Sequence, residues 1–230
     1  AYAPAGAEAF ADTPVYYRDG CRFTEDSAQV PAPGTCHYGT PGGRRVALVG
    51  DSKIGQWLPA LQLIAQAERW ELLFYSRSGC PYAIEGVSTD CRAFVSTVHE
   101  RLAATEKPDL VMVQGDTTTV MAAALAGFHR RVRVAHVEAG LRTGDLENPF
   151  PEELNRRVAD LVSSLHLTPT RWAADALRRE GIPERQIHVT GNTVVDALLW
   201  IAGTEPAAAA DSTMVLITSH RRESFGEPMR

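Results

Sequence analysis

From Arg45 onward, short apolar runs alternate with stretches of helical periodicity, and this alternation restricts the fold more than any other feature of the chain. The strand-length runs fall at 45–49, 72–75, 110–113, 132–137, 165–167, 187–189 and 214–218. Helical spacing fills 91–105, 117–128, 151–164, 171–180 and 193–202, and an earlier helix carries Ile54, Trp57, Leu58, Leu61, Ile64 and Ala65 on one face. Pro59 places the start of that helix near Trp57, where a proline in the first turn is tolerated. Thr170 and Gly181 bracket the helix at 171–180 as N-cap and C-terminal stop. β-branched strands interleaved with helices imply a sheet buried on both faces. The expected class is α/β: a three-layer, doubly wound, mainly parallel, Rossmann-like sheet.

Residues 1–43 are rich in Pro, Gly and Ala, lack sustained periodicity and read as an irregular lead-in. The Ala-rich stretch at 205–211 reads as a linker. The expected organisation is a Rossmann-like domain over 1–204 and the opening of a second, nucleotide-binding domain over 212–230.

Composition excludes several functions. The 230 residues carry a formal net charge of −5 with no Lys/Arg block, which argues against a general nucleic-acid binder. No apolar run approaches a membrane span. Cys21, Cys36, Cys80 and Cys91 lack the CxxC spacing of a zinc site, and no metal-ligand spacing occurs elsewhere. Each cysteine pair spans a short loop, so two local disulfides, Cys21–Cys36 and Cys80–Cys91, are the sharper reading and free thiols the blander one. Disulfides point to an extracytoplasmic setting. The first eleven residues lack a basic start and a long apolar stretch, which favours the cytoplasm.

In open α/β sheets ligands bind beyond the carboxyl ends of the strands. There the chain reads Gln114-Gly115-Asp116-Thr117, then Glu138-Ala139-Gly140, then Thr190-Gly191-Asn192, then His220-Arg221-Arg222-Glu223. Glycines allow close backbone approach, and the helices that follow offer free N–H groups to an anion. Asp116, Glu138 and His220 are thus expected along one rim, suited to acid/base chemistry beside a phosphate. Each also has a plainer role: Asp116 as a helix cap, Glu138 as the partner of His136 in a buried pair, Glu152 as a first-turn carboxylate facing the helix dipole, His220 to Glu223 as a solvated charge cluster.

Five stretches carry a resemblance. They are Pro108-Asp-Leu-Val-Met-Val-Gln-Gly-Asp-Thr-Thr-Thr119, His136-Val-Glu-Ala-Gly-Leu-Arg-Thr-Gly-Asp145, Pro151-Glu-Glu-Leu-Asn-Arg-Arg157, Thr190-Gly-Asn-Thr-Val-Val-Asp196 and His220-Arg-Arg-Glu-Ser-Phe-Gly226. Together they resemble the non-hydrolysing UDP-N-acetylglucosamine 2-epimerases. The resemblance implies two Rossmann-like domains with a UDP-sugar in the cleft between them, no cofactor or metal, and a homodimer. It implies inversion at C2 of the sugar by elimination of UDP and its re-addition after reprotonation on the other face. Carried over residue by residue, Asp116, Glu138, Glu152 and His220 take the catalytic positions. Gly115, Thr117, Arg142, Arg221 and Arg222 take substrate-binding ones. Because only the first strand and loop of the second domain are represented, the expectation for this chain is UDP-sugar binding with impaired turnover.

The first half reads differently. Val46-Ala-Leu-Val-Gly-Asp-Ser-Lys53, Ser78-Gly-Cys-Pro81 and Cys91-Arg-Ala-Phe94 resemble the extracytoplasmic SGNH domain attached to sugar O-acyltransferases, over about residues 17–106. That resemblance makes Ser52 an alternative nucleophile. No histidine here has an Asp three positions before it, so Ser52 lacks its base and reads better as a helix N-cap. An epimerase-like chain, an SGNH-type esterase or acyltransferase, and a non-catalytic chimera are the three readings. For any of them, the strands on either side of residue 107 are expected to share one sheet.

Overall fold

The computed structural model describes residues 15–23, 30–32, 34–50, 52–78, 80 and 88–204. They run in the order α1 (Val15–Arg18), β1 (His37–Gly39), β2 (Arg44–Gly50), α2 (Ser52–Gly55), α3 (Leu58–Glu68), β3 (Trp70–Ser76) and α4 (Thr89–Arg101). β4 (Leu110–Gln114), α5 (Thr118–His129), β5 (Arg133–Val137), α6 (Glu152–Val162), β6 (Leu165–Thr168), α7 (Arg171–Arg179), β7 (Ile187–Val189) and α8 (Thr193–Thr204) follow. The chain divides into two compact units, 1–190 and 191–230; α8 belongs to the second.

One seven-stranded sheet organises the first unit, in the order β1-β3-β2-β4-β5-β6-β7. Only β1 runs antiparallel. The central strands are uninterrupted apolar runs because helices cover both faces: Val46, Ala47 and Leu48 of β2 and Leu72 and Leu73 of β3 are fully buried. Each such Leu or Val contributes roughly 1.5–3 kcal/mol relative to exposure.

The two differently reading halves meet inside this sheet. β2 pairs in parallel with β4, Val46 opposite Leu110, Ala47 opposite Val111 and Leu48 opposite Met112. Asp109 closes the start of the pairing: its N–H donates to the Arg45 carbonyl at 2.9 Å, and its carboxylate accepts from the Arg45 N–H at 3.0 Å. The order also creates a switch point. The chain leaves β2 for β3 on one side and returns to place β4 on the other, so the carboxyl ends of β2 and β4 flank the position where this architecture forms a crevice.

Several boundaries differ from the sequence reading. α1 and β1 lie inside the expected irregular lead-in. Cys21 and Cys36 are bonded there, and a second disulfide joins Cys80 to Cys91. α4 starts two residues early because the Ser88 hydroxyl accepts from the Cys91 N–H at 3.2 Å, and it continues as a π-helical turn over Leu102–Glu106. Thr170 caps α7 by accepting from Ala173 N–H at 3.1 Å, and Gly181 follows at φ +86°. The expected strand at 214–218 lies outside the described residues.

If the β2–β4 pairing joins the halves into one unit, limited proteolysis under native conditions should leave the peptide between residues 102 and 114 intact. Two stable fragments divided near residue 106 would contradict it. A second expectation concerns Gly140, at φ +83°, where an added Cβ would meet the backbone carbonyl of Ala173 at the start of α7. Gly140→Ala should cost about 2–4 kcal/mol in chemical denaturation, since both the dihedral and the backbone contact oppose it.

Candidate active site

Two acids arrive at neighbouring strand ends. β4 finishes at Gln114, and Gly115 turns the chain at φ +82° before Asp116. β5 finishes at Val137, after which Glu138 takes φ +65°. A left-handed conformation is unfavourable for a non-glycine side chain by about 1–2 kcal/mol, and it lifts Glu138 out of strand alternation onto the rim. There the Gln114 amide donates to Glu138 Oε2 at 3.1 Å. A Cβ on Gly115 would lie 3.6 Å from that same oxygen, so glycine keeps the turn close beneath the carboxylate.

Helix α6 supplies the surroundings of Asp116. Arg156 pairs with Asp116 Oδ2 at 2.6 Å, and the Asn155 amide donates to the Asp116 carbonyl at 2.9 Å. Glu152 opens α6 and stands in its first turn beside Glu153. Glu153 is fully buried and binds the loop that precedes the helix. It accepts from the N–H groups of Thr143 at 3.1 Å and Gly144 at 3.3 Å and from Arg157 at 3.0 Å. Glu153, Arg156, Arg157 and Asp160 recur at helical spacing, so one face of α6 is polar yet packed inward.

Beneath the rim lies a buried charge cluster. His136, 0% exposed, bonds through Nδ1 to Asp160 at 2.6 Å and through Nε2 to the Gly115 carbonyl at 2.7 Å. Asp160 also accepts from the Gly140 N–H at 3.1 Å and pairs with Arg142 at 2.9 Å. Arg142 in turn holds Glu180 by two bonds of 2.7 Å. Burial opposes charge on both central groups, but their mutual attraction and hydrogen bonds outweigh it. His136 is raised above the ordinary imidazole value and Asp160 lowered below the ordinary carboxylate value. Burial likewise pushes Glu153 up, and the Thr143 and Gly144 N–H groups with Arg157 and Arg156 more than offset it, leaving it lowered.

These positions revise several expectations. Thr117, not Asp116, caps α5, its hydroxyl accepting from Val120 N–H at 3.4 Å. His136 pairs with Asp160 rather than Glu138. Arg142, expected at the substrate, faces inward onto Asp160 and Glu180 with 7% of its side chain exposed. The structure brings Asp116, Glu138 and the start of α6 to one rim. His220, Arg221 and Arg222 lie outside the described residues, as does the side chain of Ser52. Sequence reasoning missed Gln114, Asn155, Arg156 and Asp160, although the helical spacing of charges from Glu153 to Asp160 signalled an inward polar face. Gln114 Oε1 and Arg156 Nε are buried without a hydrogen-bond partner among the described residues, one able to accept and one to donate. Among the described residues no group of His, Cys, Asp and Glu is arranged to hold a metal ion, and no helix is long and apolar enough to cross a membrane.

A doubly wound sheet with acids gathered at its strand ends defines a Rossmann-like protein with a polar ligand rim. Residues 89–230 match the family model described as UDP-N-acetylglucosamine 2-epimerase. The chain is 48% identical over 135 residues to the UDP-N-acetylglucosamine 2-epimerase of Salmonella typhimurium, covering 53% of this chain and 36% of that protein. It is 48% identical over 128 residues to that of Bacillus subtilis, covering 54% and 34%. The structure aligns with a Neisseria meningitidis UDP-GlcNAc 2-epimerase crystallised with UDP-GlcNAc (TM-score 0.64, 30% identity, 80% of this chain and 59% of that one). It also aligns with the Methanocaldococcus jannaschii enzyme in complex with UDP-GlcNAc and UDP (TM-score 0.56, 30% identity, 70% and 51%). The chain belongs to the UDP-N-acetylglucosamine 2-epimerase family. The Neisseria alignment covers more of the chain than residues 89–230 occupy, so the structural likeness reaches into the first half. The SGNH resemblance and the chimera reading gain no support from these comparisons.

Three shifted groups at the site contribute to the pH dependence of stability. Glu153 and Asp160 contribute above the ordinary carboxylate range, and that contribution is lost as pH falls through their lowered values. His136 contributes fully below its ordinary value of 6.5, and its contribution is lost as pH rises through its raised one. Glu153→Gln should lower stability at neutral pH by about 1–3 kcal/mol and flatten the acid limb of Tm against pH. An unchanged acid limb would show that Glu153 does not set it.

Proposed function

We propose that this chain carries the sugar-side acid/base machinery of a UDP-N-acetylglucosamine 2-epimerase, interconverting UDP-N-acetylglucosamine and UDP-N-acetylmannosamine. The observation that carries the reading is the gathering of Asp116 and Glu138 at adjacent strand ends around Gly115, with α6, which Glu152 opens, reaching Asp116 through Asn155 and Arg156. Inversion at C2 requires a proton to be removed from one face of a weakly acidic carbon and delivered to the other. Acids on separate elements around one turn suit that task. Their surroundings differ, Asp116 against the Arg156 guanidinium and Glu138 against the Gln114 amide, which gives two carboxylates two environments.

In this reading UDP leaves with its diphosphate to give a glycal and adds back after reprotonation, and no cofactor enters. The family resemblance gives His220 a catalytic role, Arg221 and Arg222 a substrate-binding one, and residues 212–230 the opening of a second nucleotide-binding domain; all of these lie outside the described residues. The protein acts on a UDP-sugar as a homodimer.

The direct test is solvent exchange at C2. The full chain incubated with UDP-N-acetylglucosamine in heavy water should incorporate deuterium at that carbon. Asp116→Asn and Glu138→Gln should each slow incorporation by about 10²–10⁴-fold. Binding of the nucleotide sugar without exchange would sink the reading, and ester hydrolysis abolished by Ser52→Ala would replace it.

A further inference from the structure

His136 lies below the rim, is fully buried, and meets the expected site through the backbone carbonyl of Gly115. Both of its ring nitrogens face oxygen at hydrogen-bond distance: Asp160 Oδ1 at 2.6 Å and the Gly115 carbonyl at 2.7 Å. A neutral imidazole has one N–H, so it can satisfy only one of them and must set a lone pair against the other. Asp160 does not supply the missing proton, because its second oxygen already accepts from Gly140 N–H and pairs with Arg142. Only the doubly protonated ring fits the arrangement.

Its second N–H bears on the turn that carries the site. Gly115 is held from both sides, its N–H donating to the Val137 carbonyl at 3.0 Å and its carbonyl accepting from His136. The residue before it, Gln114, donates to Glu138, and the residue after it, Asp116, meets Arg156. We propose that His136 is a positioning residue: as an imidazolium locked between Asp160 and the Gly115 carbonyl, it fixes the turn that sets Asp116 beside Glu138. The inference rests on the epimerase reading for its chemistry, though not for its geometry.

The charges around His136 determine what happens when its proton leaves. α6 presents Asp160. The segment after β5 presents Arg142, with Glu180 behind it at the end of α7. β6 places His166 opposite His136 in register, its Nε2 2.8 Å from the Asp160 carbonyl. β4 sets Val113 opposite and offers only the Gly115 carbonyl. Just beyond the end of β5, Glu138 follows two residues later. Asp160, held ionised beside Arg142, keeps the remaining N–H, so deprotonation leaves the Gly115 carbonyl facing a lone pair. The turn is released, and the geometry between Asp116 and Glu138 loosens on the alkaline side.

NMR on the full chain with labelled histidine, aspartate and glutamate tests this without relying on turnover. Both ring N–H protons of His136 are expected at pH 7. As pH rises, the Asp116 amide and the Glu138 carboxyl signals should shift with the same midpoint as the imidazole. In Asp160→Asn all three midpoints should move down together, by about 1–3 pH units. In C2 exchange, kcat should fall along that same limb while KM for UDP-N-acetylglucosamine stays within about twofold, a split that a purely structural role would not produce. A single ring N–H at pH 7 overturns the proposal, as do Asp116 and Glu138 signals blind to the His136 titration. If the wild-type chain exchanges no C2 proton, the epimerase reading falls, while the coupled titration still decides the role of His136.

Discussion

Asp160 is 1% exposed and receives His136, Arg142 and the Gly140 N–H at once. Removing a carboxylate from water costs several kcal/mol, so such a group persists only where partners meet nearly all of its oxygen lone pairs. Here the partners come from β5, from the segment after it and, through His136, from the turn after β4. The loss of any one leaves charge stranded in the interior. The cluster thereby couples α6 to the sheet in one registration, and the rim acids inherit their placement from it. The covering helices hold the sheet together, but this carboxylate aligns the helix that frames Asp116.

Fold class was legible because periodicity reports burial on a repeating scale. The run at 110–113 and the glycine turn after it needed only apolar alternation to be placed, and the structure extends that strand by one residue. β1 was not legible: three residues amid Pro and Gly carry no period, and its antiparallel edge pairing depends on β3, more than thirty residues away. The cap of α5 was misjudged by one position because both Asp116 and Thr117 are good capping types. The structure decides between them: Thr117 is extended, and its hydroxyl accepts from the Val120 N–H.

The site was half legible. Strand ends located Asp116 and Glu138, since topology alone sends polar residues there to a common rim. Direction was not legible. Arg142 stands in a stretch rich in candidate ligand contacts, yet it turns inward because Asp160, eighteen residues later on a helix face, competes for its guanidinium. Likewise His136 and Glu138 alternate onto one side of an ideal strand, but the strand ends between them, and the histidine finds its partner on α6. Such pairings are settled by packing between elements, which a linear pattern does not encode.

The left-handed backbone at Glu138 has a consequence for anyone who would alter this protein. Its local geometry suits glycine or asparagine better than glutamate, so selection for thermal robustness alone would drift toward those residues. The most comfortable substitution would silently delete a carboxylate from the rim. A position where conformational ease and chemistry disagree is one that consensus-style stabilisation should leave untouched.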